Sequence, residues 1–359
     1  MLRTLKLLFL RMANAVGVSS VLMNTAWRRQ RLLILCYHGI STDDEHVWNP
    51  NLYMSPDLFR ERLLALRDRR CNVLPLSEAV ERLYAGTLPE RAVTITFDDG
   101  MYDFHQLAYP LIREFGYPVT VYLTTYYSEF NRPVFDVMCS YLLWKGRGRS
   151  LEWPEIIDHP VTLDDAGRDV ADRRIKIFAR RQDLSGGQKD ELLATLAGKL
   201  AIDYEALCKK RILHVMNPAE VTELARAGVA IELHTHRHRV SNRREKFQQE
   251  IRDNRERIEA MSSSDTRHFC YPGGFHLPEF PGWLRELKVV SATTCQPGFV
   301  SRSSDPMLLS RLVDASGLTE TEFHSWLSGL ASLLPHRPHV MSEGQLMEEP
   351  VQSEEPTPK

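Results

Sequence analysis

The chain has 359 residues, 43% of them hydrophobic and 26% charged, with a formal net charge of -2. That composition supports a sizeable core and excludes a disordered chain, a collagen-like fibre and a multi-span membrane protein. A near-neutral charge also argues against a protein that coats polyanions, so no nucleic-acid partner is expected.

Residues 1–30 hold Arg3, Lys6, Arg11, Arg28 and Arg29 among Leu5, Leu7, Leu8, Phe9, Leu10, Val16, Val18, Val21 and Leu22, with no acidic residue. The longest uncharged stretch, Met12 to Trp27, is too short and polar for a bilayer core of about 30 Å. Arg11 interrupts the apolar run that a signal peptide needs. The segment reads as a basic amphipathic helix, packed on the domain's own surface or making peripheral contact with an anionic membrane. A cytoplasmic or peripheral inner-membrane location is expected in preference to export.

From Arg31 to Tyr37 the run RLLILCY suits a strand buried on both faces. Ser55-Pro56 opens a helix over 57–70, and a second helix over 77–85 closes at Gly86. AVTITF at 92–97 is a strand that stops at Asp98-Asp99-Gly100; a helix over 103–115 and a strand over 118–123 follow. Such short alternation predicts an α/β fold with a mainly parallel sheet. Residues 130–227 break the rhythm with helical patterns near 134–145, 168–180, 188–199 and 203–213. A helix over 218–227 and a strand over 229–233 then resume it, followed by a helix over 242–261 and a strand over 267–271. A helix near 279–286, strands near 288–293 and 308–312 and a helix over 320–334 complete the expected domain, 31–334. Residues 335–359, rich in proline and glutamate, form an expected disordered acidic tail. Cysteines at 36, 71, 139, 208, 270 and 295 lack zinc-knuckle or redox-dithiol spacing and read as reduced thiols.

Three polar clusters follow predicted strands, where α/β folds build sites. In Asp98-Asp99-Gly100 one carboxylate can bind a metal while its neighbour accepts a proton from water, or the three residues are simply a turn. In His234-Thr235-His236-Arg237-His238, a helical turn would put His234 and His238 on one face; an extended segment would align all three histidines. With one aspartate, two imidazoles make a facial set for a divalent ion, whereas a solvated basic loop is the plainer alternative. Phe269-Cys270-Tyr271-Pro272-Gly273-Gly274 is a rigid turn, or a turn exposing the Gly273 amide to an oxyanion. Cys270, with His268 two residues away, is a remote nucleophile candidate.

TFDDG, HTHRH and YPGG, in that order, resemble the polysaccharide deacetylases of the NodB-homology type (carbohydrate esterase family 4), over roughly Leu32 to Leu334 with Leu35-Cys36-Tyr37-His38 as a weaker opening match. The resemblance implies a distorted (β/α)7-type barrel carrying a helical insertion. It also implies a metal-dependent hydrolase that removes N-acetyl groups from an acetamido sugar in a polysaccharide or glycan precursor. Asp98 would be the base, and Asp99, His234 and His238 would hold one divalent ion, zinc first. The Gly273 amide would help the oxyanion. The sequence departs from the family at Cys270, where an arginine orienting the base is usual, at Gly273, where an aromatic residue is usual, and at Arg311, where a histidine acid is usual. Arg311 is expected to supply the charge beside Asp98. Its pKa above 12 disqualifies it as the acid, which leaves His276, then His38 and His236, as candidates. Trp48, Tyr53, Tyr102, Tyr126, Tyr127 and Trp144 are aromatic candidates for a substrate rim. Other metal-dependent ester or amide hydrolysis, or glycan binding on a relic site, are the competing readings; no pattern specifies an oligomeric state.

Overall fold

Apolar runs without helical period become parallel strands in the computed structural model, which describes residues 2–335. The expected disordered tail, apart from Pro335, lies outside them. Seven strands, β1 (Leu33–Tyr37), β2 (Ala92–Phe97), β3 (Thr120–Leu123), β4 (Ala230–Leu233), β5 (His268–Cys270), β6 (Ser291–Thr293) and β7 (Leu312–Val313), run in the order β6-β5-β4-β3-β2-β1-β7. Every pairing along this path is parallel. β1 and β2 are buried throughout, as expected for strands covered on both faces. The sheet curls until its two ends meet. On the approach to β7, the Leu309 N–H donates to Ala292 O (2.8 Å) and Leu309 O accepts from the Thr294 N–H (2.9 Å). The fold is therefore the expected distorted (β/α)7-type barrel. A short extra strand, Asn72–Val73, pairs with β2 beside this path and was not anticipated.

Register positions the chemistry. Leu33 to Tyr37 pair one for one with Val93 to Phe97, so β1 and β2 end at the same level. The Asp98 N–H then donates to Tyr37 O (2.9 Å), which places Asp98 directly over the end of β1.

Helix Pro56–Asp68 starts as read, with Ser55 Oγ accepting from the Leu58 N–H. Its buried stripe Phe59, Leu63, Leu66 also includes Arg62. That guanidinium donates to Asp314 (Nε to Oδ2, 3.0 Å) and to Leu318 O (2.6 Å), and ties the helix to the chain beyond β7. After β3 the insertion comprises helices Phe135–Lys145, Asp165–Arg181, Gly186–Lys199 and Tyr204–Lys209, plus an unforeseen antiparallel pair, Ser150–Leu151 with Val161–Thr162. The helix expected over 203–213 ends early, because Arg211 and Leu213 adopt positive φ. Within the helix expected over 103–115, Phe104–Ala108 is a π turn before Tyr109–Glu114. There Pro110 has no N–H with which to continue the ladder. The last helix, expected to reach 334, spans Glu320–Ser328. Gly329 stops it at φ 94, and the Trp27 ring fills the space a Cβ would need.

The basic N-terminal segment forms helix Leu2–Ala15, docked on Glu320–Ser328. Leu10 and Ala13 are buried with Leu330, and Asn14 Nδ2 donates to Ser325 Oγ (3.2 Å).

Candidate active site

Asp99 (φ 68) and Gly100 (φ 75) are two left-handed residues in succession that turn the chain off β2. A Cβ at Gly100 would also meet Leu123, so only glycine fits there. The turn separates the carboxylates: Asp98 is buried beneath the cleft and Asp99 faces into it.

His234 and His238 bring their Nε2 atoms to 3.3 and 3.2 Å from Asp99 Oδ1, with ring centroids 4.8 Å apart. The segment achieves this as neither of the two expected conformations. Thr235 (φ 62) and His238 (φ 55) are left-handed, so 234–238 is an irregular turn that returns His238 to His234. His236 points away, its Nδ1 2.9 Å from Thr125 Oγ1, and burial lowers its pKa to about 4.

The donor set fits a divalent ion. His234 Nδ1 lies 2.9 Å from Cys270 O. A carbonyl only accepts, so Nδ1 carries the hydrogen and a neutral His234 presents the bare lone pair of Nε2 to Asp99. An imidazole lone pair facing a carboxylate oxygen is repulsive without a cation between them. Burial would lower the His234 pKa, but the Asp99 and Asp98 carboxylates outweigh it and raise it, so the pair calls for positive charge. One carboxylate oxygen and two imidazole nitrogens within 4.8 Å of one another suit zinc. Asn254 holds this arrangement from behind. Its Oδ1 accepts from the His234 N–H (2.9 Å), and its Nδ2 donates to Leu123 O (2.9 Å) and Thr125 Oγ1 (3.1 Å).

Asp98 has a different environment. Arg311 Nη1 and Nη2 donate to its Oδ1 and Oδ2, each at 2.7 Å, and Arg311 Nε donates to Thr294 O (2.9 Å). Burial alone would raise the Asp98 pKa, but the guanidinium holds it well below the usual carboxylate range. The Cys36 and Cys270 thiols, kept protonated by burial, donate to Oδ2 at 3.5 and 3.4 Å. Cys270, read as a remote nucleophile, is thus a buried protonated thiol, and His268, its proposed activator, bonds Ser291 Oγ instead (2.8 Å).

A cleft of about 440 Å³ joins these groups, lined also by His38, Asn51, Leu52, Gly273, Cys295 and Pro297. His38 Nε2 lies 3.8 Å from Asp98 Oδ2, and burial lowers its pKa. Gly273 sits in the turn after β5 at φ 57. His276 and His236 are not among the lining residues; His276 Nδ1 donates to Gly274 O (3.0 Å) and its ring lies on Tyr271. None of the six aromatic rim candidates lines this cleft. Tyr126 and Tyr127 line a separate cavity with Phe130 and Arg132, while Trp48, Tyr53, Tyr102 and Trp144 pack elsewhere. Cys36, Cys295 and Asn254 belong to the site and were not anticipated. Asn254 had a signal: it stands at 254 in the apolar stripe Phe247, Ile251, Ile258.

Residues 195–290 match the polysaccharide deacetylase family profile. A Bacillus subtilis protein, YxkH, assigned to the polysaccharide deacetylases, is 33% identical over 94 residues, 26% of this chain and 32% of its own length. The poly-beta-1,6-N-acetyl-D-glucosamine N-deacetylase of Escherichia coli is 26% identical over 100 residues, 28% of this chain and 15% of that protein. The chain thus spans a third or less of these curated relatives. The Streptococcus pyogenes deacetylase PplD, solved with acetate, shares the fold at a TM-score of 0.54 with 17% identity, over 81% of this chain and 96% of that one. Over residues 195–290 this chain is thus similar to the polysaccharide deacetylases, and its fold is one that a deacetylase of known structure shares.

Proposed function

We propose that the protein is a metal-dependent N-deacetylase acting on acetamido sugars of a polysaccharide or glycan precursor. The observation that carries this reading is the convergence of Asp99, His234 and His238 beside a separately held carboxylate, Asp98, at the ends of the parallel strands. A divalent ion held by the first three, zinc first, would supply Lewis acidity toward the acetamide carbonyl and toward water.

The chain's own groups divide the remaining work. Asp98 accepts the proton of the attacking water, with Arg311 fixing the carboxylate plane through two parallel N–H bonds. Gly273, a lining residue without a side chain, leaves room at the carbonyl for its backbone to meet the developing negative oxygen. An amine leaves poorly as an anion, so its nitrogen must be protonated. His38 is the histidine on the cleft wall besides the two ligands, and its position beside Asp98 lets it pass that proton to the departing nitrogen. This assignment replaces His276 as the acid. The products are acetate and a free amino sugar.

Acetate release from an oligomer of β-1,6-linked N-acetylglucosamine is the test, with an O-acetylated glycan in parallel. Release from the first substrate that disappears in Asp98→Asn supports the reading. Release from the O-acetylated glycan alone would make the protein an esterase, and none from either with metal bound would make it a binding protein.

A further inference from the structure

We propose that helix Leu2–Ala15 and the short helix after it form a docking face that lays the protein on an anionic phospholipid bilayer. The first helix has two faces with different partners. Leu10 and Ala13 turn to the domain, and Arg3 donates to Gly317 O (2.7 Å), so the helix is anchored along its length. The other face carries Leu5, Leu8, Phe9 and Met12 at helical spacing, with Val16 one turn further on. These side chains stand in solvent, from Phe9 at 50% exposed to Val16 at 77%, and Val18 and Val21 of helix Val18–Met23 extend the surface. Among the described residues, the remaining exposed large hydrophobics, Val47, Phe130, Val170, Val290 and Leu333, are scattered along the chain, as on any surface. A contiguous apolar stripe is different, because it marks a contact.

Charge selects the occupant. Residues 2–31 contain no Asp or Glu, and Lys6 and Arg11, on the same helix, pair with no acidic side chain among the described residues. Beside the second helix, Ser20 and Asn24 line a cleft with three arginines, Arg69, Arg70 and Arg91, against one carboxylate, Asp68; Arg91 donates to Arg69 O and Asn24 Oδ1, and its buried Nε has no partner among the described residues. A second copy of the chain would set the same cations against these across a two-fold axis, with no acids on the helix to offset them. Anionic headgroups satisfy the cations while the acyl boundary receives the apolar stripe. No helix among the described residues is long and apolar enough to cross a membrane, so the contact is interfacial. Its position has a further meaning: Gly317, bound by Arg3, donates its N–H to Pro50 O (2.8 Å), and the adjacent Asn51 lines the catalytic cleft. The docking helix therefore begins beside the rim of that cleft.

The test is co-sedimentation of the full chain with vesicles of phosphatidylglycerol and phosphatidylcholine, or of phosphatidylcholine alone, without substrate. Binding to the anionic vesicles, weakened by salt and reduced about tenfold or more in Phe9→Glu/Met12→Glu with an unchanged melting temperature, supports the proposal. Lys6→Glu/Arg11→Glu, which keeps the apolar stripe, is expected to lose the preference for anionic vesicles. Equal binding to both vesicle types, no binding, or unaltered binding by the apolar variant would overturn it. A dimer in sedimentation equilibrium that Phe9→Glu/Met12→Glu abolishes, with vesicles left unbound, would overturn it in favour of a second copy.

Discussion

Arg311 and Asp98 face each other through two parallel hydrogen bonds of 2.7 Å, both side chains buried, although they are 213 positions apart in sequence. Breaking such a pair strands a buried charge, which costs about 3–5 kcal/mol. Arg311→Met should therefore destabilise the fold by that order. The double variant Arg311→Met/Asp98→Asn should recover part of the loss in urea denaturation while remaining inactive. A double variant no more stable than Arg311→Met would mean that charge compensation is not the pair's role.

Metal content should separate the two neighbouring aspartates. Wild-type protein and Asp98→Asn are each expected to retain zinc after dialysis, whereas Asp99→Ala and His234→Ala lose it. Chelation should abolish acetate release and added zinc should restore it. Elemental analysis beside activity reads both, and zinc retained in Asp99→Ala would remove Asp99 from the ligand set.

His38→Asn should lower kcat by about 10²–10⁴-fold with zinc still bound, the range expected for loss of a positioned proton-transfer group. His276→Asn, changed at a side chain bonded to Gly274 O, should leave kcat within a few-fold. The reverse pattern would return the acid role to His276.

Asn254→Ala removes the acceptor of the His234 N–H and the donor to Leu123 O. Zinc affinity is expected to fall about 10–100-fold through a misplaced His234. Competition with a chromophoric chelator measures this, and unchanged affinity would confine Asn254 to a packing role.

His268 supplies a pH signature away from the Asp99, His234 and His238 cluster. Burial lowers its pKa to about 4, below its unfolded value of about 6.5. The unfolded state thus binds the proton first, and this contribution is fully present above about pH 6.5 and is lost as pH falls toward 4. In His268→Asn the stability difference from wild type should shrink across that window, by on the order of 2–3 kcal/mol. A pH-independent difference would show that His268 does not titrate with folding.

The barrel was legible because its strands announce themselves. RLLILCY and AVTITF have no helical period and end at polar clusters, and both became fully buried parallel strands. The Asp99, His234 and His238 cluster was legible in residue identity but not in conformation, since left-handed turns at Thr235 and His238 leave no pattern at non-glycine residues. Arg311 could be placed beside Asp98 only because a charge was missing at Cys270. Cys36 and Cys295 gave no such hint; in sequence they are ordinary small apolar residues, and only barrel closure aims them at the guanidinium and its partner. The aromatic rim failed for a related reason: composition supplies aromatic rings but not their direction, and these pack under the insertion or on one another.

Ring closure through Leu309 has a consequence for how the protein becomes competent. The acid at position 98 leaves the ribosome long before the arginine at 311 that neutralises it, so a nascent chain lacking the seventh strand carries a carboxylate it cannot yet bury. Completion of the proposed site is thereby withheld until the barrel closes, and a fragment cut before Leu309 forfeits the partner of Asp98 even though it retains Asp99, His234 and His238.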